Sequence, residues 1–163
     1  MAGHLKLIET IRLLIGERQL VVVSNREPYV HMREHGEVAV SRTAGGLVAA
    51  LDPVMQAVSG TWVAWGSGEA DFDVTDAQGR VRVPPEGAQY TLKRVPLSHE
   101  EIDDYYYGYA NQALWPLFHF IPHRARFRRR YWQSYRWVNR RFAEAVLDEA
   151  DRDAVVWIHD YHL

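Results

Sequence analysis

Short runs rich in β-branched residues recur along the chain without the alternation of polar and apolar positions that marks a half-exposed strand. Three of these runs are Gln19–Ser24, Thr61–Trp65 and Ala154–Ile158. Continuous apolar runs of this length are typical of strands that are buried on both faces of a parallel sheet. We therefore predict three buried strands, each followed directly by a cluster of polar residues.

Apolar residues at helical spacing predict helices between these strands. Residues 1–18 contain an amphipathic segment that predicts a leading helix ending near Gly16. A second helix begins after Gly45 and Gly46, and Pro53 must lie early in it or kink it. The most extended apolar stripe predicts a long helix over residues 128–150.

Shorter elements complete the predicted pattern. Residues 29–33 and 37–42 surround a Glu-His-Gly turn and predict a hairpin. Two further short strands are expected at residues 81–83 and 91–95. Ser98 with Glu101 three residues later is a capping-box signature, which predicts a helix over residues 100–106.

Strands that alternate with helices indicate an α/β fold, with a mostly parallel, Rossmann-like sheet flanked by helices. We expect residues 19–163 to form this lobe and residues 1–18 to precede it. Ligands of open α/β sheets gather beyond the carboxyl ends of the strands. Because the sequence stops just after such a strand end, we expect the lobe to be incomplete and the chain to be the N-terminal piece of a longer protein.

Composition excludes several classes of protein. The chain has 163 residues, of which 47% are hydrophobic and 25% charged, as in ordinary globular proteins. It contains no cysteine, which excludes a disulfide framework, a thiolate zinc site and a cysteine nucleophile. No apolar run approaches the roughly 20 residues that a membrane-spanning helix needs. We expect a cytoplasmic protein with no membrane partner.

Charge is unevenly distributed although the net charge is only −2. The segment from Tyr105 to Ala143 contains eight arginines and no acidic residue. This segment is either the solvated face of a helix or a source of positive potential that favours an anionic ligand. RNA binding through the same segment is a further alternative, although the net charge argues against nucleic acid as a partner.

Polar clusters follow each of the three predicted buried strands, at residues 24–26, 65–68 and 159–162. If the strands are parallel neighbours, the three clusters meet at one edge of the sheet. Arg26 would bring a guanidinium group whose fork matches phosphate or carboxylate oxygens. The backbone N–H groups at Gly45 and Gly46, before a helix, would suit a phosphate.

The His-Asp-Tyr-His segment at residues 159–162 raises the question of a metal site. Two histidines three residues apart on a strand-to-loop segment do not generally converge on one ion, and no further ligand can be identified. Carboxylate and neutral imidazole groups suit sugar hydroxyls better. We predict no metal site and no cofactor, and we expect the acidic residues Glu100, Glu101, Asp103 and Asp104 to be solvated.

Several motifs of the chain occur in the order known from one enzyme family. They extend over most of the chain: Val21–Arg26, Ala44–Leu47, Tyr105–Tyr106, Asn111, Leu114–His119, Val138–Ala143 and Trp157–Leu163. In this combination, the chain resembles the N-terminal lobe of the trehalose-6-phosphate synthases, the retaining glycosyltransferases of family 20.

The resemblance implies a two-lobed GT-B fold whose C-terminal donor lobe lies outside this chain. It implies transfer of glucose from UDP-glucose to glucose 6-phosphate, and it leaves the chain by itself catalytically silent. Arg26 would contact the acceptor phosphate, and Tyr106 and Trp115 would line the same pocket. Gly46 would offer its backbone N–H to the donor diphosphate, and Asp160 would be the catalytic-site residue that binds a sugar hydroxyl. The roles of the residues beside Asp160 stay open.

Alternatives remain at this stage. A related family member could use another sugar phosphate or a cyclitol as acceptor, since Tyr107 and Tyr109 differ from the residues common at these places in the family. A non-catalytic module that binds a sugar phosphate or a protein is the alternative from another class. The sequence also leaves open whether the full-length protein is a homo-oligomer.

Overall fold

The computed structural model describes residues 2–163, and its sheet has the order that a Rossmann-like lobe requires. Strands β1 and β4 and the last strand, β7, are parallel neighbours, with β1 in the centre. The sheet order is β5–β6–β4–β1–β7, and only β5 runs antiparallel to its neighbour. The seven strands are β1 (Leu20–Val23), β2 (Tyr29–Glu34), β3 (Glu37–Arg42), β4 (Thr61–Trp65), β5 (Arg80–Val83), β6 (Tyr90–Val95) and β7 (Val155–Ile158).

Helices lie on both faces of this sheet, which confirms the predicted α/β class. The α-helices are α1 (Ala2–Ile15), α2 (Gly46–Val58), α3 (His99–Ile102), α4 (Trp115–Phe118) and α5 (Arg129–Glu149). A π-helix spans Asp103–Leu114 and a 3₁₀ turn spans Pro122–Arg124. Strands β2 and β3 form the predicted antiparallel hairpin as a separate two-stranded sheet.

Strand β1 is buried on both faces because its side chains enter two different cores. Leu20 and Val22 join a core that contains α1 and α2. Val21 and Val23 join a second core formed with the π-helix and α5, where Tyr105, Val138 and Phe142 are buried. Because successive side chains of a strand point to opposite faces, β1 contributes apolar residues to both cores, and its sequence carries no polar position. The prediction of a doubly buried strand is confirmed for β1 and for β4, apart from a half-buried Trp65.

The predicted long helix and the leading helix are confirmed, but the helix capped by Ser98 continues much farther than expected. The Ser98 hydroxyl accepts a hydrogen bond from the Glu101 N–H, and the Glu101 carboxylate accepts one from the Ser98 N–H. The chain then passes without interruption from α3 into the π-helix and on to α4, whose first turn holds Pro116. Pro53 lies inside α2.

Two predictions about burial are wrong. Strand β7 pairs with β1 as expected, yet Val156 is 40% and Ile158 57% exposed. It is an edge strand, so one of its sides has no neighbour among the described residues. Asp104 is buried instead of solvated, and its carboxylate lies 3.2 Å from the Arg130 guanidinium. Glu101 is half-buried and accepts hydrogen bonds from Arg141.

Candidate functional site

A cavity of about 230 Å³ opens at the carboxyl ends of β1 and β7 and at the amino end of α2. This is where an open α/β sheet binds its ligands. Its lining is polar near the strand ends and includes the glycine pair before α2. The lining residues are Ser24, Asn25, Arg26, Thr43, Ala44, Gly45, Gly46, Leu47, Val48, Tyr106, His159, Asp160 and His162.

Arg26 supplies the positive charge of the cavity. It is the one exposed residue between Leu20 and Tyr29. Its backbone is held in place, since the Ser24 hydroxyl donates to the Arg26 carbonyl at 2.7 Å and accepts from the Trp62 indole at 2.8 Å. Within residues 2–163, Arg26 makes no salt bridge, and the nearest side-chain acceptor of its guanidinium is the Tyr106 hydroxyl at 3.5 Å. The charge is therefore available to an anionic ligand.

The π-helix brings Tyr106 to the opposite side of the cavity. π-helices are rare in proteins, and those that occur are often found at functional sites. Its wider turns place Tyr105 in the core, while Tyr106 is half-buried at the cavity wall. The Tyr106 ring contacts the His162 ring at a centroid distance of 5.2 Å. This wall thus offers a hydroxyl group and aromatic surface, which suit a sugar.

The amino end of α2 supplies backbone donors. Gly45 precedes the helix with a φ of 153°, a conformation that favours glycine. No side chain caps this helix end, so the first N–H groups of α2, beginning at Gly46, face the cavity without a side-chain acceptor. Those N–H groups and the positive end of the helix dipole favour an anion.

The β7 side of the cavity carries two histidines and an aspartate. Burial lowers the pKa of both His159 and His162, and the nearby Asp160 opposes this in each case. Both imidazoles are therefore neutral at pH 7 and able to donate or accept hydrogen bonds. The Nε2 atom of His159 and the Oγ1 atom of Thr43 are buried without a hydrogen-bond partner in the described part of the chain, and both residues line the cavity. Unsatisfied polar atoms of this kind are expected where a polar ligand binds.

Four of the five residues assigned from the sequence meet in this cavity: Arg26, Gly46, Tyr106 and Asp160. Asp160 has a positive φ of 68°, and its Oδ1 atom accepts a hydrogen bond from the Tyr161 N–H. Trp115 does not line the cavity, because it lies at the start of α4, 40% exposed and stacked on His119 at 4.0 Å. Its assignment to the acceptor pocket stays a prediction.

Other lining residues carried no assignment from the sequence. Asn25 and His162 belong to the polar clusters at the ends of β1 and β7, so their place beside Arg26 and Asp160 was a usable signal. Thr43 precedes the glycine pair, and only the hairpin geometry brings it to the cavity. The third predicted cluster, at residues 65–68, serves the site indirectly. Both the Ser67 N–H and the Ser67 hydroxyl donate to Glu27, directly after Arg26.

A buried group of charges fixes the loop that carries Arg26. Arg94 is fully buried, donates to the Glu27 carboxylate at 2.8 Å and to the Asp71 carbonyl at 2.7 Å, and lies 2.9 Å from the Asp71 carboxylate. It also donates to the Tyr29 carbonyl and to the Nδ1 atom of His31. Burial raises the pKa of Glu27 to about 8, with Asp71 adding to the effect and Arg94 opposing it. We call Glu27, His31, Asp71 and Arg94 the Arg94 cluster.

A larger cavity, of about 400 Å³, lies between β6 and α5 but offers fewer free charged groups to a ligand. Its cations already have partners, since Lys93 donates to the Gln78 carbonyl and Arg141 donates to Glu101. Across residues 6–163, whose side chains the structure describes, no group of three or more His, Asp and Glu side chains is arranged to hold a metal ion. Nor does any helix in that range have the length and apolar character needed to cross a membrane.

The cavity at β1 and β7 therefore combines a free guanidinium group, helix N–H donors, hydroxyl groups and neutral imidazoles. The first two bind phosphate oxygens, and the last two bind sugar hydroxyls. A phosphorylated sugar carries both kinds of group. In the comparison with known proteins, the family model "Glycosyltransferase family 20" matches residues 18–163.

The chain belongs to glycosyltransferase family 20. It is 40% identical over 152 residues to a trehalose-6-phosphate synthase from Mycobacterium ulcerans, which covers 92% of this chain. Among solved structures, a protein from E. coli bound with UDP-2-fluoro glucose is 33% identical, with a TM-score of 0.65 over 89% of this chain and 28% of the other. An α,α-trehalose-phosphate synthase (UDP-forming) from Burkholderia xenovorans in complex with glucose-6-phosphate is 28% identical, with a TM-score of 0.62 over 89% of this chain and 28% of the other.

These family 20 relatives are much longer than the chain. It spans 29% of the length of the Mycobacterium ulcerans relative. The match confirms the fold expected from the resemblance, namely a Rossmann-like lobe equivalent to part of the N-terminal lobe of a GT-B enzyme.

Proposed function

We propose that the protein provides the acceptor-binding half of a retaining glycosyltransferase that makes trehalose 6-phosphate from UDP-glucose and glucose 6-phosphate. The observation that carries this proposal is the free Arg26 guanidinium beside Tyr106, at a cavity that the amino end of α2 also faces. Solved relatives of about 30% identity hold a UDP-glucose analogue or glucose 6-phosphate, which supports the same pair of substrates here.

The cavity residues would divide the work between acceptor and donor. Arg26 would bind the acceptor phosphate through a charge-assisted hydrogen bond, with Tyr106 beside it. Trp115 would reach the same pocket only if it turned from His119. The N–H of Gly46 would meet the donor diphosphate, and Asp160 would accept a hydrogen bond from a sugar hydroxyl.

This arrangement suits substitution on the face from which the diphosphate leaves. In such a reaction the acceptor oxygen attacks as the leaving group departs, and no protein nucleophile is required. Negative charge develops on the departing diphosphate. Oriented N–H donors at α2 stabilise that charge more strongly than water does, because they are already in place. The absence of a predicted nucleophile is consistent with this chemistry.

The remaining parts of the proposal concern the rest of the enzyme. The nucleotide of the donor would be held by a second lobe, in the part of the relatives that this chain does not span. We place the enzyme in the cytoplasm, free of membrane and nucleic acid, and leave its oligomeric state open. A related transferase with another sugar phosphate or a cyclitol as acceptor is the second candidate, because Tyr107 is 55% exposed near the cavity and can alter the choice of acceptor.

Arg26→Ala tests the proposed function. We expect the affinity for glucose 6-phosphate to fall by about 2 kcal/mol or more, roughly 30-fold, because a charge-assisted hydrogen bond to phosphate is lost. Titration calorimetry with glucose 6-phosphate, other sugar phosphates and UDP-glucose measures the effect. Arg82→Ala is the matched control, because Arg82 is an exposed arginine on β5.

The calorimetry also separates the candidates. Preference for glucose 6-phosphate over other sugar phosphates supports the trehalose-6-phosphate assignment, and the reverse preference supports the related transferase. Equal affinities for glucose 6-phosphate in Arg26→Ala and Arg82→Ala would show that Arg26 does not belong to the acceptor site.

A further inference from the structure

Two elements that are distant in the sequence hold the two sides of the proposed phosphate site. Arg26 lies on the loop after β1, and Tyr106 lies on the π-helix, 80 residues later. Their side chains meet at the cavity, where Arg26 is exposed and Tyr106 half-buried. Their mutual contact is 3.5 Å long, which is too weak to set the distance between the elements. Other contacts, behind these two side chains, must set the distance between the two elements.

The preceding residue of each element supplies that connection. The Tyr105 hydroxyl donates to the Oδ1 atom of Asn25 at 2.8 Å. Tyr105 is fully buried and Asn25 is 4% exposed. Within residues 2–163, this hydrogen bond and the long Arg26–Tyr106 contact are the side-chain hydrogen bonds that join residues 24–27 to the π-helix.

Tyr105 is a rigid anchor for this purpose. Its ring belongs to the core formed by β1 and α5, where it packs with Val21, Val138 and Phe142. Burial raises the pKa of its hydroxyl, so the group keeps its proton and acts as a donor at all physiological pH values. Since the ring is fixed in the core, the position of its hydroxyl fixes Asn25 in turn.

The other neighbours of Arg26 are also fixed, so the loop has little freedom. Ser24 bonds to the Arg26 carbonyl, and Glu27 accepts from Ser67 and Arg94. These contacts, with the Trp62 indole that donates to Ser24, tie the loop to β4 and β6. The Asn25–Tyr105 bond is the short hydrogen bond that ties it to the element that carries Tyr106.

We propose that Asn25 and Tyr105 are positioning residues, whose hydrogen bond sets the separation of Arg26 and Tyr106. The proposal rests on the proposed function, since it assumes that both side chains bind one phosphorylated sugar. Binding groups act best when their supports hold them close to the productive geometry before the ligand arrives. Loss of the bond would therefore weaken binding without removing any group that touches the ligand.

Tyr105→Phe is the direct test, because it removes only the hydroxyl oxygen. Tyr90→Phe is the matched control. Tyr90 is equally buried, and its hydroxyl donates to Asp52 at 2.8 Å, away from the cavity. We expect both variants to lose similar thermal stability. Only Tyr105→Phe is expected to lose affinity for glucose 6-phosphate, by about tenfold. Equal affinity of the two variants would overturn the proposal.

A second measurement needs no ligand. NMR relaxation of the free protein reports the order of the backbone amides of Arg26 and Tyr106. We expect lower order parameters at both amides in Tyr105→Phe and unchanged values in Tyr90→Phe. Unchanged order in Tyr105→Phe would overturn the positioning role. If glucose 6-phosphate fails to bind the wild-type protein, the proposed function fails, and this measurement still decides the positioning role.

A double-mutant cycle guards against misinterpretation of a single variant. Asn25→Ala removes the acceptor of the same hydrogen bond. If the bond is the cause, the double variant with Tyr105→Phe binds no more weakly than Asn25→Ala does. Additive losses of affinity would show that the two residues act independently and would overturn the proposal.

Discussion

The two walls of the candidate cavity are built very differently. The β1 wall, residues 24–27, has a buried residue on each side of Arg26, and each of these has side-chain hydrogen bonds to a different element. The β7 wall, residues 159–162, follows an edge strand whose Val156 and Ile158 are exposed. His159 is tied to β1 by its N–H, which donates to the Val23 carbonyl, but its Nε2 atom has no partner in the described range.

The two walls differ in how far contacts within the chain hold them in place. Behind the β1 wall, each nitrogen of the buried Arg94 guanidinium donates to a carboxylate, a carbonyl or an imidazole. Such a network is rigid when it is complete and costly when one member is missing. Among the described residues, the β7 wall has no comparable support on its outer side. We infer that contacts within the chain preorganise the phosphate-binding half of the cavity.

Removal of Arg94 is expected to have the largest effect on the β1 wall. Arg94→Met leaves the Asp71 carboxylate buried without its counter-charge and removes a donor from Glu27, so we expect a loss of about 3–5 kcal/mol in the free energy of unfolding. Urea denaturation followed by circular dichroism measures it. Arg82→Met, on the exposed side of the adjacent strand β5, is expected to change stability by less than about 0.5 kcal/mol. A similar small change for Arg94→Met would mean that the Arg94 cluster does not support the β1 wall.

Much of this contrast lies beyond what the sequence could predict. The three parallel strands and the meeting of Arg26 with Asp160 followed from local patterns, because apolar runs and strand-end polar residues are features of neighbouring positions. The place of Gly46 and Tyr106 beside them was implied by the family resemblance. Position in the sheet is not such a feature, and β7 has the same apolar pattern as β1 although it lies at the edge.

The support behind the site was also hidden from the sequence. Glu27 and Arg94 are typical surface residues by type, and only the fold brings them together across 67 positions. The π-helix differs from an α-helix by a shift in backbone hydrogen bonding, which residue spacing does not encode clearly. Family resemblance supplied the residue roles, and it could not supply the burial of Glu27 or Asp104.

The pH dependence of stability sharpens the picture of the β1 wall. Glu27 is buried beside Asp71 and Arg94, and its burial favours the protonated carboxyl group. The pKa of Glu27 is about 8 in the folded protein against an ordinary value of 4.5. The unfolded chain therefore releases this proton first. The proton on Glu27 therefore contributes its full share to the free energy of unfolding below about pH 4.5. This contribution decreases as the pH rises, by up to about 1.4 kcal/mol per pH unit, and is lost above about pH 8.

Glu27→Gln isolates that effect, because an amide cannot titrate and has nearly the same shape. We expect urea denaturation between pH 5 and pH 9 to give a difference in stability between wild type and Glu27→Gln that changes steadily up to about pH 8 and then levels off. A difference that is constant over this range would show that Glu27 is already ionised at pH 5 in the folded protein.

The smallest expected effect comes from one and the same substitution made in strands β1 and β7. Val21 of β1 and Val156 of β7 are paired in the sheet, but Val21 is fully buried and Val156 is 40% exposed. Threonine has the shape of valine and adds a hydroxyl group. In Val21→Thr that hydroxyl is buried beside apolar side chains, so we expect a loss of roughly 1–3 kcal/mol. In Val156→Thr the hydroxyl reaches water, and we expect a change within about 0.5 kcal/mol. Chemical denaturation of the two variants under one set of conditions measures the pair, and equal losses would mean that β7 is as well buried in solution as β1, so that the two walls are equally supported.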